Sequence, residues 1–468
     1  MSRIVVLGGG VVGLATGLIL GRQGNDVIVL ERDQEPCPDS AEQAWKSWDR
    51  KGVAQFRQAH YLQPGARQVL ESHLPEAAAS LREVDACAFS ALQILPPSIA
   101  DRAPRPGDDR LTTLTARRPV AEYVIGKLAD EELDVRRGVE VVGFETGPRS
   151  DADAPHVTGV RLASGETLST DLVVDATGRR SRLPDWVEAV GARRPMEESE
   201  DSGFIYYTRF FHTNGAPPVP QAPLLSALGS FSILTLPADA QTWSVTVYIS
   251  SHDQAMKGLR DPERWSRVVA GCPRHAHWLD GQAITGVAPM AGIVDRIRRL
   301  VIDGVPVITG VVAVGDAWAC TNPSLGRGIA LGLLHAVATS EVVAGHARDP
   351  SGLALAHDEV TQARLTPWYR HTIGLDRARA AAIQAEIEGV PLALSDDPAA
   401  VVGRALPLAA VRDADVFRAF LEIAGVLTLP QEVLSRPGVR ERVLELAEGQ
   451  QPPPVAAPSR TQLLEMMV

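Results

Sequence analysis

Apolar positions fill Ile4–Leu7, give way to glycines from Gly8, return with helical spacing to about Arg22, and close up again over Asp26–Leu30. A short unbroken apolar run bounded by glycine is the pattern of a strand buried on both faces, so the segment predicts strand, glycine turn, helix and second strand, the unit that binds nucleotides. From Asp33 to Lys51 the chain is rich in Trp, Pro and charge without a period, which predicts a loop leading to a helix near Gly65–Ser72. Beyond a Pro/Asp/Arg-rich connector between Pro96 and Arg110, helical spacing runs from Pro119 to Leu133. Strand patterns follow at Asp134–Glu145, Val157–Leu162 and Asp171–Val174.

The pattern changes at Phe204. FIYYTRFF, FSILTL and WSVTVYI alternate apolar and polar positions as far as Ile249, as an antiparallel sheet does. A hairpin at Arg299–Ile308 then leads into a strand at Val311–Val314, a glycine-punctuated turn and a long apolar helix reaching about Val343. After Pro350 helical patterns such as LDRARAAAIQAEIEG continue to the Pro452-Pro453-Pro454 run, and the last dozen residues read as a tail. The expected fold is α/β, α+β overall. A Rossmann-like dinucleotide domain from residues 1–190 and 286–349 is interleaved with an antiparallel-sheet substrate domain over 191–285, and a helical C-terminal region with a Pro-rich tail covers 350–468.

Composition narrows the function. At 468 residues the chain exceeds one hydrophobic core, so two or three domains are expected. A net charge of -11 argues against a nucleic-acid partner, which needs clustered Lys and Arg for phosphates. Cys37, Cys87, Cys272 and Cys320 form no CxxC pair, which excludes a dithiol centre and suits a reduced compartment. Cys272, His275 and His277 lack a spaced fourth ligand, so no metal site is expected. No charged n-region precedes Ile4, and the apolar stretch from Leu300 is interrupted by Asp303, Gly304 and Pro306. A cytoplasmic protein without a membrane span is the expectation.

The chemistry starts at Gly8-Gly9-Gly10-Val11-Val12-Gly13, a GxGxxG placed directly after a strand and opening a helix. Gly8 permits the tight turn, Gly10 lets backbone approach a pyrophosphate, and Gly13 lets helix pack on strand. The helix N-terminus offers unpaired N–H groups and positive dipole to phosphate. Glu31, followed by Arg32, ends the second strand, where a carboxylate accepts hydrogen bonds from ribose hydroxyls and repels a 2′-phosphate. Two later segments separate FAD from NAD. Asp171–Arg179 is a buried strand ending in a small-residue turn at Gly178, and Val311–Ala317 delivers Asp316 beside a glycine, where it can meet a ribityl hydroxyl.

With these three motifs in order over residues 4–345, the chain resembles the FAD-dependent monooxygenases of p-hydroxybenzoate hydroxylase type, including bacterial polyether epoxidases and squalene-epoxidase-like enzymes. The resemblance implies that Asp316 contacts the ribityl chain. It also implies that the Pro323-Ser324-Leu325-Gly326-Arg327-Gly328 loop and Ile329 face the flavin ring; Ala330 stands where the family often has Asn. It further implies that Arg117 and Arg118 contact the pyrophosphate or ribityl region. Arg50–His60 is similar to an epoxidase segment that leads toward the flavin and proposes Arg57 and His60 as site residues. By the same resemblance FAD, once reduced, adds O2 as a C4a-hydroperoxide and passes one oxygen atom to a small organic substrate, by epoxidation or hydroxylation, in secondary metabolism. Substrate contacts are then expected from the alternating sheet, with Tyr206, Tyr207 and Arg209 as lining residues, of which at most half face one side. Without a second strand-associated GxGxxG, electrons come from NAD(P)H bound without its own domain or from a flavin reductase. A reductase or desaturase of geranylgeranyl-reductase type shares the three motifs. A flavin halogenase is disfavoured because Trp45 and Trp48 do not reproduce the W-x-W-x-I-P pattern.

Overall fold

The structure is a computed structural model that describes residues 2–148, 154–451 and 456–468. The Pro452-Pro453-Pro454 run lies outside them. Strands Arg3–Leu7, Asp26–Glu31, Asp134–Arg137, Leu172–Asp175 and Val311–Ala313 form one parallel sheet. The order across it places Arg3–Leu7 at the centre, flanked by Leu172–Asp175 and Asp26–Glu31. These strands are apolar on both faces because helices cover one side and a three-stranded meander the other. The predicted strand Asp134–Glu145 divides in two. Gly138, at φ 72°, turns the chain out of the parallel sheet, and Val141–Thr146 joins the meander with Val157–Leu162 and Thr167–Ser169. The expected loop over Asp33–Lys51 contains a short helix, Ala41–Lys46, capped by the Ser40 hydroxyl, which accepts from the Gln43 N–H.

The second sheet is antiparallel, in the order Leu225–Leu228, Phe231–Pro237, Thr242–Ser250, Phe204–His212 and Gln282–Ala283, with Ala288–Met290 also paired to Phe204–His212. Its two faces serve different layers. Tyr207, Phe211, Val245 and Val247 pack with Trp265 and Val268 of the Pro262–Ala270 helix. Phe204, Tyr206 and Tyr248 pack against Ile383 of the Thr366–Glu388 helix.

One further expectation needs correction. The last dozen residues are not a tail: Arg460–Met466 is a helix with a Ser459–Gln462 capping box, and it docks on the back of the second sheet. Leu463 is 1% exposed beside Trp265 and Val268, and Arg460 makes a bidentate ion pair with buried Asp253 at 2.6 and 2.8 Å. The short apolar period of this helix was hidden behind the Pro-rich run. The apolar helix Gly328–His346 is also long and apolar enough to cross a membrane, by length and composition. In this fold it is a core helix, with Ile329, Leu333 and Ala336 buried among the first helix and its neighbours. Truncating Leu463 to Ala should cost about 2–5 kcal/mol, visible as a lower melting temperature; an unchanged melting temperature would show that the C-terminal helix does not dock.

Candidate functional site: a dinucleotide cleft between the two sheets

At the C-terminal edge of the parallel sheet, three turns converge. Gly8, at φ 102°, reverses the chain after the first strand, and a Cβ built there would lie 2.6 Å from the Ala176 carbonyl oxygen. A Cβ on Gly13 would lie 2.0 Å from the Gly8 oxygen, so both positions must stay bare for the helix to start where it does. Gly10 is the opposite case. It precedes the Val11–Arg22 helix with no side-chain cap, and a Cβ there meets nothing within 4 Å, because it would stand in the open cleft. Gly178, at φ 75°, borders the same open space.

The cleft brings together Gly8, Gly10, Val11, Val12, Gly13, Glu31, Arg32, Arg118, Gly178, Asp316, Pro323, Gly326, Gly328, Ile329 and His60. Glu31 Oε1 accepts from the Asp33 N–H at 2.9 Å, and Oε2 accepts from the Gly9 N–H and the Arg50 guanidinium, each at 2.7 Å. Asp316 is half-buried at the mouth of the Gly328–His346 helix. Burial pushes its carboxyl up, while Arg118, Arg179 and Arg296 pull it down.

Several predicted residues are placed elsewhere. Arg117 does not line the cleft. Its guanidinium is clamped by Asp239 from the second sheet's hairpin, with Nε 3.1 Å from both carboxylate oxygens, and its own N–H donates to Asp239 Oδ1 at 2.7 Å. The Trp45 ring covers it at 4.5 Å. Arg57 is held by the carbonyls of Trp45 and Trp48 and stacks on Trp45. His60 does reach the cleft, where burial, and then Arg118, pushes its imidazole down to about 3, so it is neutral there. Of the sheet residues, Tyr206 faces inward and donates its hydroxyl to Asn322 Oδ1 at 2.6 Å. Tyr207 and Arg209 face the opposite layer, where Arg209 donates to the Thr285 carbonyl and the Ser266 hydroxyl.

Other site residues were missed. Arg50 is buried among Glu31 at 2.7 Å, Asp33 at 3.2 Å and Glu122 at 3.2 Å; burial opposes its charge, and the three carboxylates more than offset that. Arg179, Arg180 and Arg182 also line the cleft, which makes its wall basic. Behind Pro323 lies a polar layer: Asp295 accepts from the Asn322 N–H at 2.5 Å, and Asp376 accepts from the Ser324 hydroxyl at 2.6 Å. Burial raises these carboxyls to about 7 and about 6. The sequence offered signals for Arg50, in the segment after the second strand, but none for Asp376, which lies on a helix far along the chain.

The residues fit a flavin dinucleotide. Bare glycines leave room for backbone approach, an uncapped helix start and basic walls suit a pyrophosphate, and the Gly326–Gly328 turn opens a second helix at the far end. The fold and cleft define an FAD-binding protein of the p-hydroxybenzoate hydroxylase fold. The chain belongs to the FAD binding domain family, whose profile matches residues 1–363. It is 26% identical over 365 residues to Protein Rv3254 of Mycobacterium tuberculosis, which covers 72% of this chain and 71% of that protein. Among solved structures, the Diels-Alderase PyrE3 of pyrroindomycin biosynthesis superposes with a TM-score of 0.59 at 16% identity, covering 92% of this chain and 81% of that one. PqsL, a probable FAD-dependent monooxygenase from Pseudomonas aeruginosa, superposes with a TM-score of 0.57 at 16% identity, covering 82% of this chain and 96% of that one.

Gly10→Val should fold normally, because its Cβ points into open space, yet lose FAD on gel filtration; retained FAD would contradict the cradle. Arg117→Met should do the reverse. Leaving Asp239 buried without its partner is expected to cost about 3–5 kcal/mol of stability, with FAD affinity changed less than threefold by fluorescence titration, a window of about 0.6 kcal/mol.

Proposed function

We propose that this protein is an FAD-dependent monooxygenase that places one atom of O2 on a small organic substrate by hydroxylation or epoxidation, within secondary metabolism. The observation that carries this reading is the course of the cleft. From the glycine turn it continues past Pro323 and Gly326 to Gln58, His60 and Met290, so the end where the flavin ring belongs reaches the second sheet at Met290, on the strand paired to Phe204–His212. Bound FAD would supply the activation of O2, and the chain supplies the surroundings. Gln58 donates to the Ala288 carbonyl at 3.4 Å and ties the loop after the second strand to the sheet, which narrows the reacting end. Met290, which packs against the buried Phe204, Tyr206 and Tyr248, lines that end and favours a substrate with an apolar face. The N–H groups at the start of the Gly328–His346 helix stabilise negative charge beside it.

Electrons are supplied by NAD(P)H or by a partner flavin reductase. Four free cysteines suit a reducing cytoplasm. The fold also carries a protein named as a Diels-Alderase, so the reaction rests on the chemistry of the cleft and not on the fold. The second reading is a flavin-dependent reductase or desaturase of geranylgeranyl-reductase type, favoured by the same three turns. The test is to photoreduce the holoprotein without oxygen, add a panel of aromatic and olefinic compounds, and admit 18O2. One labelled oxygen atom in a product is expected. A product that forms equally well without oxygen, or without label, would overturn the proposal.

A further inference from the structure

The turn that presents Asp316 to the cleft is held from behind by a histidine. The Gly315 N–H, next to Asp316, donates to His335 Nδ1 at 3.3 Å. His335 is fully buried one helix layer below the cleft, on Gly328–His346, and does not line it. Its other nitrogen, Nε2, lies 3.3 Å from the Thr361 hydroxyl on the Pro350–Arg364 helix. The ring stacks on His357 of that helix at 5.2 Å and 22°, and His357 Nε2 pairs with the Thr339 hydroxyl at 3.1 Å. The Trp318 edge closes the remaining side at 5.1 Å.

These contacts fix the proton. A backbone N–H can only donate, so His335 Nδ1 must be bare, and a neutral imidazole then carries its proton on Nε2, where it donates to the Thr361 hydroxyl. Burial, and then His357, holds the ring far below its usual range, which keeps it neutral. A doubly protonated ring, or the other tautomer, would set N–H against N–H beneath Gly315. Gly315 is also the pivot of the turn. Its φ is 57°, and a Cβ there would lie 3.0 Å from Val12 Cγ1.

We propose that His335 is a positioning residue for the cofactor: with its Nε2 proton taken up by the Thr361 hydroxyl, it anchors the Gly315 N–H through bare Nδ1 and so aims the Asp316 carboxylate into the cleft. The inference rests on FAD binding and is independent of which reaction the flavin performs.

The test is FAD affinity, read by quenching of flavin fluorescence as apoprotein of the full chain is titrated. His335→Leu removes the acceptor. Thr361→Val removes the acceptor of the Nε2 proton and so orphans the buried ring from the far side, while touching neither Gly315 nor the cleft. Each is expected to weaken FAD binding about tenfold, the equivalent of one hydrogen bond of about 1.4 kcal/mol. His335→Asn, whose amide oxygen can take the place of Nδ1, should restore binding to within about threefold of wild type. Thr339→Val disturbs the same stacked pair from its other end and should leave affinity unchanged. Wild-type affinity in both His335→Leu and Thr361→Val would overturn the proposal, as would equal weakening by Thr339→Val. Should His335→Leu not fold, the 15N shifts of histidine-labelled wild-type holoprotein decide: a bare Nδ1 and protonated Nε2 at His335 are expected, and the opposite tautomer refutes the role.

Discussion

The arrangement depends on one interlock of backbone and a single side chain. Val12, in the first turn of the first helix, projects between Gly315 and Gly332; a Cβ on either glycine would lie 3.0 or 2.3 Å from the Val12 side chain. On the other side, Gly8 lies under the Ala176 carbonyl, and Gly13 lies against Gly8. Residues near 10, 176, 315 and 332 are therefore locked together at distances that no larger residue permits. Close-packed backbone is bistable rather than compliant, so the cradle either assembles whole or does not form. This is why the dinucleotide motifs, though scattered through the chain, act as a single site.

Around that interlock, charge fixes what packing alone would leave free to slide. Arg50 ties the carboxylates of Glu31, Asp33 and Glu122 into one buried network beside the cleft. Arg117 and Asp239 join the parallel-sheet unit to the second sheet in the same manner. Buried pairs of this kind contribute little net stability against well-packed apolar groups, but breaking one is costly, so they specify an orientation. The Thr366–Glu388 helix completes the enclosure. It sets Ile383 against the inner face of the second sheet and Asp376 against Ser324 of the flavin loop.

Much of this was legible in the chain, because local rules and global fold agree where the dinucleotide binds. The run Ile4–Leu7, the glycines that follow and Glu31 specify strand, turn, helix and acid within a short stretch. Asp316 beside Gly315 and Gly326 before Gly328 repeat the same logic later. What escaped is what depends on distant partners. Arg117 and Arg118 are neighbours of one chemical type, yet Arg118 turns to Glu122 and the cleft while Arg117 turns to Asp239, 122 residues away. Tyr206 and Tyr207 part in the same way, since alternation assigns opposite faces without saying which face is inner. Strand Asp134–Glu145 read as continuous because the break at Gly138 matters only once the neighbouring sheet is known. The last helix was concealed because its anchors, Leu463 against Trp265 and Arg460 on Asp253, join residues far apart in sequence.

The most direct measurement of the account is amide hydrogen exchange on the apoprotein and on the FAD-bound protein, resolved by peptide. The interlocked cradle requires that FAD slow exchange together in three stretches, 8–13, 176–180 and 315–328. Protection confined to one of them, or appearing instead on the Phe204–His212 and Thr242–Ser250 strands, would contradict it.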